Sequence, residues 1–134
     1  MDAPLTRRLL ETMTLIRRFE EQVAACFAAG EIPGFIHLSV GQEAIPAVFC
    51  AALEPADLVS ATHRGHGVVL AKGADVRATM AEIFGKQAGL CHGRGGSMHL
   101  ADLPHGIIGT NGSSGASSPI ATGAWRSPPG ADRP

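Results

Sequence analysis

Apolar side chains recur every three or four residues through the first part of the chain, which is the pattern of amphipathic helices. Residues 5–29 carry this pattern with arginine and glutamate on the remaining faces, so a long helix is predicted there, ending at Gly30. A second helix is predicted from Ser39 to Leu53, because Ser39 and Gln42 have the spacing of a capping box.

The pattern changes to a short, continuous apolar run at residues 58–61. This run predicts a buried strand that leads directly into residues 62–67, Thr-His-Arg-Gly-His-Gly, and then into the apolar start of a helix. A third long helical pattern covers residues 75–84, with Asp75 as its N-cap. From there to residues 119–123 the glycine-rich sequence predicts little regular structure.

The composition is that of one globular domain without a nucleic-acid or membrane partner. The chain has 134 residues, 45% of them hydrophobic and 17% charged, and its net charge is −1 with both signs interspersed. No apolar run has the length that a signal peptide or a membrane span needs. The three cysteines are scattered and indicate a reducing compartment rather than a disulfide framework, so we expect a cytoplasmic protein.

Residues 93–99, Gly-Arg-Gly-Gly-Ser-Met-His, form the most informative loop of the chain. Glycine lets backbone N–H groups approach a ligand closely, and Arg94 can hold a phosphate through two hydrogen bonds. We therefore expect this loop to approach an anion rather than to pack. It lacks the lysine and Ser/Thr of a P-loop and follows no predicted strand, so it is weak evidence for any nucleotide.

Arg64 and His37 are the candidate site residues that local pattern alone provides. Arg64 follows the predicted strand 58–61, and open α/β sheets bind ligands at the carboxyl ends of their strands. A diphosphate suits an arginine there, but a surface arginine in a glycine turn explains the pattern equally well. His37 can exchange protons near neutral pH, whereas a loop histidine bonded to the backbone is the more common case.

The six histidines do not form a metal site by their spacing. The pairs His63/His66 and Cys91/His92 do not match a structural zinc site, and there is no Cys-x-x-Cys pair. No metal-ligating residue is therefore predicted.

Five motifs follow one another along the chain, at residues 35–44, 62–67, 80–86, 95–99 and 109–112. Together they resemble the alpha subunit of the thiamine-diphosphate-dependent 2-oxo-acid dehydrogenases, over about residues 5–124. The Thr-His-Arg-Gly-His-Gly form of the second motif is more similar to the acetoin dehydrogenase branch than to the pyruvate or branched-chain branches.

The resemblance implies an α/β fold, here the incomplete N-terminal part of a thiamine-diphosphate-binding domain with a parallel sheet flanked by helices. It implies that His63 and Arg64 contact the diphosphate of the cofactor. His37 is expected to face the reacting end of the cofactor and the substrate, as the catalytic residue. Gly112 and Ser114 are expected to present their backbone to the aminopyrimidine ring.

The sequence also departs from the family. The family binds Mg2+, which holds the diphosphate, through a Gly-Asp-Gly motif and a later asparagine, and no Gly-Asp-Gly occurs in these 134 residues. The ligands for Mg2+ are thus absent from this chain, and the family takes the cofactor-activating glutamate from a separate beta subunit. Ser113, Ser114, Ser117 and Ser118 stand where apolar or amide residues are usual, and a buried hydroxyl without a partner costs roughly 1–3 kcal/mol.

The function implied by the resemblance is that of an oxidoreductase alpha subunit. Such a subunit decarboxylates or cleaves a 2-oxo acid or acetoin and passes the acyl group to a lipoyl carrier. Its implied partners are a dehydrogenase beta subunit and a lipoyl acyltransferase component. We expect the chain to be inactive alone. Two rival hypotheses are a catalytically dead module that docks a beta subunit and a pseudogene product that folds poorly.

Residues 125–134 differ from everything before them, with three prolines, two arginines, the only tryptophan and no periodicity. A natural disordered tail and a linker are two explanations, and a frame change in the coding sequence is a third. The abrupt transition after residues 121–124 favours the frame change. We therefore divide the chain into residues 1–124, the N-terminal part of a dehydrogenase alpha domain, and residues 125–134, an aberrant or disordered tail.

Overall fold

The computed structural model of the chain describes residues 3–126. Helices and short strands alternate along it, and a short 3-10 helix spans Leu103–His105. In chain order the elements are α1 (Ala3–Ala28), α2 (Ala44–Ala51), β1 (Val59–Thr62), α3 (His66–Ala71), α4 (Val76–Ile83), β2 (Ile107–Asn111) and α5 (Ser117–Arg126). None of the helices between residues 3 and 126 combines the length and the hydropathy of a membrane span.

The two strands form a parallel pair. Val59 of β1 lies opposite Ile107 of β2, and Thr62 lies opposite Asn111. Parallel strands need a crossover connection, which α3, α4 and the loops after them provide here. Helices packed around a parallel sheet confirm the predicted α/β class and are consistent with the N-terminal part of a thiamine-diphosphate-binding fold.

Two of the predicted helices are confirmed. The apolar stripe of α1 buries Ile16, Phe19 and Val23, as its periodicity requires. Helix α4 begins after Asp75, whose side-chain oxygen accepts the backbone N–H of Ala78 at 2.7 Å. This hydrogen bond satisfies one of the N–H groups left without a partner in the first turn of a helix.

The predicted start of the second helix is wrong. Helix α2 begins at Ala44, and Ser39 lies before it in an irregular turn. The hydroxyl of Ser39 donates to the carboxylate of Glu20 at 2.5 Å instead of capping a helix. Gly41 has a φ of 88°, a left-handed conformation that interrupts a helix. A buried long-range partner thus outweighs the local capping pattern.

The prediction of little regular structure after α4 is also wrong. Strand β2 forms from Ile-Ile-Gly-Thr-Asn, in which only the first two residues are apolar, so no strand pattern stands out from the surrounding sequence. Helix α5 extends beyond the predicted segment 119–123. Its last turn includes Trp125 and Arg126, the first two residues of the predicted tail, and residues 127–134 lie outside the described part of the chain.

The core consists of two clusters of buried apolar side chains, and α3 contributes to both. One cluster lies between α1, α3 and α4, and the other lies between α3, the strands and the loop before β2. The first contains Ile16, Phe19, Val23, Ile32, Leu70 and Ile83, and the second contains Val59, Val69, Ala74, Leu100 and Ile107. Because Leu70 and Val69 belong to different clusters, α3 is fixed between the long helix and the sheet.

Glu43, the residue before α2, is held by an ion pair. Its carboxylate accepts from the Arg17 guanidinium at 2.6 Å and from the backbone N–H of Gly41 at 2.8 Å. The hydrogen bond from Arg17 is the main reason that the pKa of Glu43 is lowered from 4.5 to about 2. These contacts join α1 to the start of α2.

A lowered carboxyl pKa makes stability depend on pH in a definite direction. The contribution of Glu43 is complete above its ordinary pKa and is lost as the pH falls through the folded-state value. Between about pH 5 and about pH 2.5, the urea midpoint of the native chain should therefore fall more steeply than that of Glu43→Gln. Glu11→Gln, in an exposed ion pair with Arg7, is the matched control and should follow the native slope. Parallel slopes for all three proteins would contradict the role of Glu43.

Candidate functional site

Several of the predicted site residues lie at one edge of the sheet. β1 ends at Thr62 and leads into His63 and Arg64, and β2 ends at Asn111 and leads into Gly112. Because the strands are parallel and Thr62 pairs with Asn111, both segments leave the sheet on the same side. We call residues 62–64 and 111–114 the carboxyl edge. In open α/β sheets this is the side where ligands bind.

His37 reaches the carboxyl edge from the loop between α1 and α2. Its ring lies 4.9 Å from that of His63, centroid to centroid, with 76° between the planes. This is the edge-to-face arrangement that aromatic rings prefer. Both side chains are half-buried, so each keeps a solvent-accessible face. The structure therefore brings together two histidines that are distant in sequence.

Arg64 is tied to the same loop. One terminal nitrogen of its guanidinium donates to the backbone carbonyl of Leu38, the residue after His37. The rest of the side chain is exposed, and a guanidinium carries five N–H donors, so most of them remain available for another acceptor. His37, His63 and Arg64 thus form one connected group at the end of β1.

A cavity of about 250 Å³ lies beside Arg64, between α2 and β1. Polar and apolar residues line it, among them Gln42, Phe49, Ser60, Thr62, Arg64 and Val68. The cavity gives the exposed donors of Arg64 space in which a ligand can lie. It is large enough for part of a cofactor, since ligand pockets commonly measure about 300–1,000 Å³.

Gly112 and Ser114 lie in the turn after β2, and both are exposed. The turn is held by the backbone N–H of Ser113, which donates to the Asn111 side chain at 2.7 Å. A Cβ atom on Gly112 would lie 3.7 Å from both Met98 Sδ and His99 Cε1. The glycine is therefore flanked by the end of the loop of residues 93–99, which we call the glycine-rich loop. The second half of the carboxyl edge is therefore an exposed turn beside the glycine-rich loop.

The four serines that depart from the family pattern leave no buried hydroxyl without a partner in the described residues. Ser117, at the start of α5, donates to the backbone carbonyl of Ala61 in β1 at 3.0 Å. Ser113, Ser114 and Ser118 are exposed, where water serves as their partner. The expected penalty for these positions is therefore not incurred in this structure.

The glycine-rich loop does approach an anion, but the anion belongs to the chain itself. The buried Glu82 carboxylate accepts backbone N–H groups from Cys91 at 2.8 Å, Gly93 at 2.8 Å, Gly95 at 2.6 Å and Gly96 at 3.3 Å. These donors are consequently not free for a ligand phosphate. The expectation that the loop does not pack is wrong as well, because a Cβ on Gly95 would lie 2.0 Å from the carbonyl oxygen of His99.

Glu82 is ionised in this environment. Burial by itself raises the pKa of the Glu82 carboxyl, but the hydrogen bonds from Gly93, Gly95 and Cys91 outweigh it and lower the pKa below its ordinary value. The site is a backbone concavity of the kind that binds anions, filled by a side chain from α4. Glu82 therefore organises the loop that ends beside Gly112.

Sequence reasoning missed Glu82 and Glu20, whose carboxylates are fully buried in the part of the chain that the structure describes. The burial of Glu20 can be inferred from the sequence, because Glu20 lies on the same helical stripe as Ile16 and Val23. Glu82 likewise adjoins Ile83 on the inner face of α4. A charged residue within an apolar stripe predicts a buried group with dedicated partners.

No group of three or more His, Cys, Asp or Glu side chains within residues 3–126 is placed to hold a metal ion. His63 and His66 point into different surroundings. The ring of His63 faces His37, while that of His66 is fully buried and bonded to Glu20. The site described here therefore consists of cationic, imidazole and backbone groups.

Replacing Glu82 by glutamine should destabilise the chain by roughly 1–3 kcal/mol, because an amide NH2 group then faces N–H donors that have no other acceptor. Glu31→Gln, at an exposed position after α1, is the control and should change the unfolding free energy by less than about 0.5 kcal/mol. Urea denaturation followed by circular dichroism measures both values. Equal midpoints for the two variants would show that Glu82 does not hold the loop.

The comparisons with known proteins identify the family of the chain. The family model described as Dehydrogenase E1 component matches residues 11–127. The alpha subunit of acetoin:2,6-dichlorophenolindophenol oxidoreductase from Bacillus subtilis is 49% identical over 116 residues, 87% of this chain and 35% of that protein. The subunit of the same name from Cupriavidus necator is 47% identical over 125 residues, 90% of this chain and 38% of that protein.

The similarity extends to pyruvate dehydrogenases. A chloroplastic pyruvate dehydrogenase E1 component subunit alpha-3 from Oryza sativa subsp. japonica is 45% identical over 116 residues, 87% of this chain and 27% of that protein. The chain thus spans about a third of the length of the curated relatives it matches. Most of its residues lie within the match, and the relatives are subunits of oxidoreductases. The chain therefore belongs to the Dehydrogenase E1 component family, as its ordered motifs predicted.

Proposed function

We propose that the chain forms part of a thiamine-diphosphate site in the alpha subunit of a dehydrogenase. The observation that carries this proposal is the meeting of His37, His63, Arg64 and Gly112 at one edge of a parallel sheet. That edge offers a cation, two imidazoles and exposed backbone next to a cavity. These groups match the diphosphate and the polar ring edges of the cofactor.

Arg64 and His63 would hold the diphosphate. A guanidinium binds phosphate oxygens through paired, charge-assisted hydrogen bonds, and most of the N–H donors of Arg64 are exposed. His63 lies next to it with one face accessible to solvent. The bond from Arg64 to the Leu38 carbonyl fixes the guanidinium before any ligand arrives.

His37 would face the reacting end of the cofactor, and the turn after β2 would support its aminopyrimidine ring. The ring of His37 packs edge-to-face against that of His63 and keeps a solvent-accessible face toward which the cofactor can approach. Gly112 allows a planar ring to approach the backbone without a Cβ, and Ser114 exposes its own backbone nearby.

The bound cofactor supplies the carbon chemistry, and the protein supplies binding, orientation and electrostatics. The substrate class we propose is a 2-oxo acid or acetoin, which is decarboxylated or cleaved so that the acyl group passes to a lipoyl carrier. A dehydrogenase beta subunit and a lipoyl acyltransferase component are the proposed partners. Mg2+ would accompany the diphosphate, with ligands from outside the described residues.

Binding of thiamine diphosphate in the presence of Mg2+ tests the proposal. We expect a weak interaction of about 1 mM, seen by saturation-transfer NMR, and at least ~10-fold weaker binding for Arg64→Ala, because one charge-assisted contact contributes roughly 1.5–3 kcal/mol. Arg94→Ala removes a cation from the glycine-rich loop and should leave the signal unchanged. Thiamine without its diphosphate should bind more weakly than the cofactor. If the binding signal is lost in Arg94→Ala but kept in Arg64→Ala, the cofactor binds at the glycine-rich loop and not at the carboxyl edge.

A second function, docking of a beta subunit without catalysis, is favoured by the outer face of α2. Ile45 is 70% exposed, Val48 54% and Phe49 53%, and Phe35 in the preceding loop is 77% exposed. Large exposed apolar side chains that lie close together are typical of protein interaction surfaces. This surface adjoins the cavity beside Arg64, since Ile45 and Phe49 also line it.

Co-expression with a dehydrogenase beta subunit of this family tests the docking function. The native chain should be recovered in a complex on size-exclusion chromatography, whereas Ile45→Lys with Phe49→Lys should abolish the complex because two charges would be buried in an apolar contact. Leu10→Lys on α1, where the native leucine is 63% exposed, is the matched control and should keep the complex. Loss of the complex in the control alone would place the contact on α1.

A further inference from the structure

A buried hydrogen-bond network centred on Glu20 links the loop of His37, the turn of Arg64 and the glycine-rich loop that flanks Gly112. We propose that Glu20 and His66 are positioning residues, which hold the loop of His37 and the turn of Arg64 in one fixed geometry at the carboxyl edge. The inference deepens the proposed function and rests on it for what the edge binds, although the geometry itself can be tested without any ligand.

Glu20 is a fully buried carboxylate in the middle of α1. One of its oxygens accepts the backbone N–H of Ser39 at 3.1 Å and the Ser39 hydroxyl at 2.5 Å. The other oxygen lies 3.0 Å from Nδ1 of His66. Burial raises the pKa of Glu20, but the hydrogen bonds from His66 and Ser39 outweigh it and lower the pKa, so the group is a carboxylate.

The peptide group between Leu38 and Ser39 connects Glu20 to Arg64. Its N–H points to the Glu20 carboxylate, and its carbonyl oxygen accepts the Arg64 guanidinium. The N–H and C=O of one peptide lie in a single rigid plane. Fixing the N–H therefore fixes the direction of the carbonyl, and with it the position of Arg64. His37, one residue before Leu38, is held by the same peptide.

His66 extends the network to the turn of Arg64 and to the glycine-rich loop. It is the first residue of α3, two positions after Arg64, and its ring is fully buried against Phe19. Its Nε2 lies 2.9 Å from the Ser97 hydroxyl and 3.1 Å from the Ser97 carbonyl. Ser97 belongs to the glycine-rich loop, whose next two residues flank Gly112.

A contribution to folding stability does not by itself explain why Glu20 is buried beside His66. A buried carboxylate is often no more stabilising than an apolar residue of similar volume, because its desolvation offsets what its contacts contribute. What the carboxylate provides is direction, since each of its oxygens is aimed at a different segment. The network contacts the loop of His37, the turn of Arg64 and the glycine-rich loop that flanks Gly112, and its side chains are buried.

The positioning role is tested by the reactivity of His37 and His63 toward diethyl pyrocarbonate, followed residue by residue with mass spectrometry. Glu20→Leu removes both carboxylate oxygens at the centre of the network, and the modification rates of both histidines should rise roughly threefold or more, as expected when a segment opens locally. The exposed His92 is the internal reference and should keep its rate. Glu21→Gln, an exposed carboxylate on the same helix, should change neither rate.

Two further variants separate positioning from general loss of stability. Glu20→Gln should largely restore the native rates, because its amide has the shape of the carboxylate and its oxygen can still accept from Ser39. Ile107→Ala removes core volume at the opposite end of β2, and its effect is compared with that of Glu20→Leu at equal free energy of unfolding. An equal rise at His37 and His63 in Ile107→Ala would overturn the proposal.

The result remains decisive if Glu20→Leu does not fold. Ser39→Ala then removes a single hydrogen bond of the network, and a selective rise at His37 supports the proposal while unchanged rates overturn it. Failure of thiamine diphosphate to bind the native chain would overturn the proposed function but not the positioning, because the modification rates are measured without cofactor. The experiments can therefore contradict the proposed cofactor site and the positioning role of Glu20 independently.

Discussion

The arrangement of the candidate site depends on the parallel pairing of β1 with β2. In a parallel pair both strands run in the same direction, so the segments after Thr62 and Asn111 leave the sheet on one side. An antiparallel pairing of the same strands would place His63 and Gly112 at opposite ends. The pairing is itself supported by α3, whose buried side chains join the sheet to the long first helix.

Buried carboxylates give fixed shapes to segments that have no regular structure. Backbone N–H groups in a loop need acceptors when water is excluded, and neither the loop before α2 nor the glycine-rich loop has a neighbouring strand to supply them. Glu20 provides the acceptor for the first loop and Glu82 for the second. Both acceptors lie on helices, which are rigid, so the loops inherit the positions of α1 and α4.

The sequence predicts the parts of this structure that depend on local pattern. Helix α1 follows from its apolar periodicity, and α4 from its N-cap at Asp75. The start of α2 was misplaced because Ser39 bonds a partner on another helix, which no local rule contains. For the site, the strand end predicted a ligand position at Arg64, but the meeting of His37 with His63 arises from tertiary packing and was indicated only by family resemblance.

The carboxylate within the glycine-rich loop also couples the local stability of the loop to that of α4. The N–H groups of Gly93 and Gly95 share one acceptor, a side chain of α4, so a local opening that withdraws Glu82 exposes both to water at once. Met98 and His99, at the end of that loop, flank Gly112, so the same opening loosens the far side of the carboxyl edge. Hydrogen exchange at Gly93 and Gly95 therefore reports on the integrity of a helix to which they do not belong.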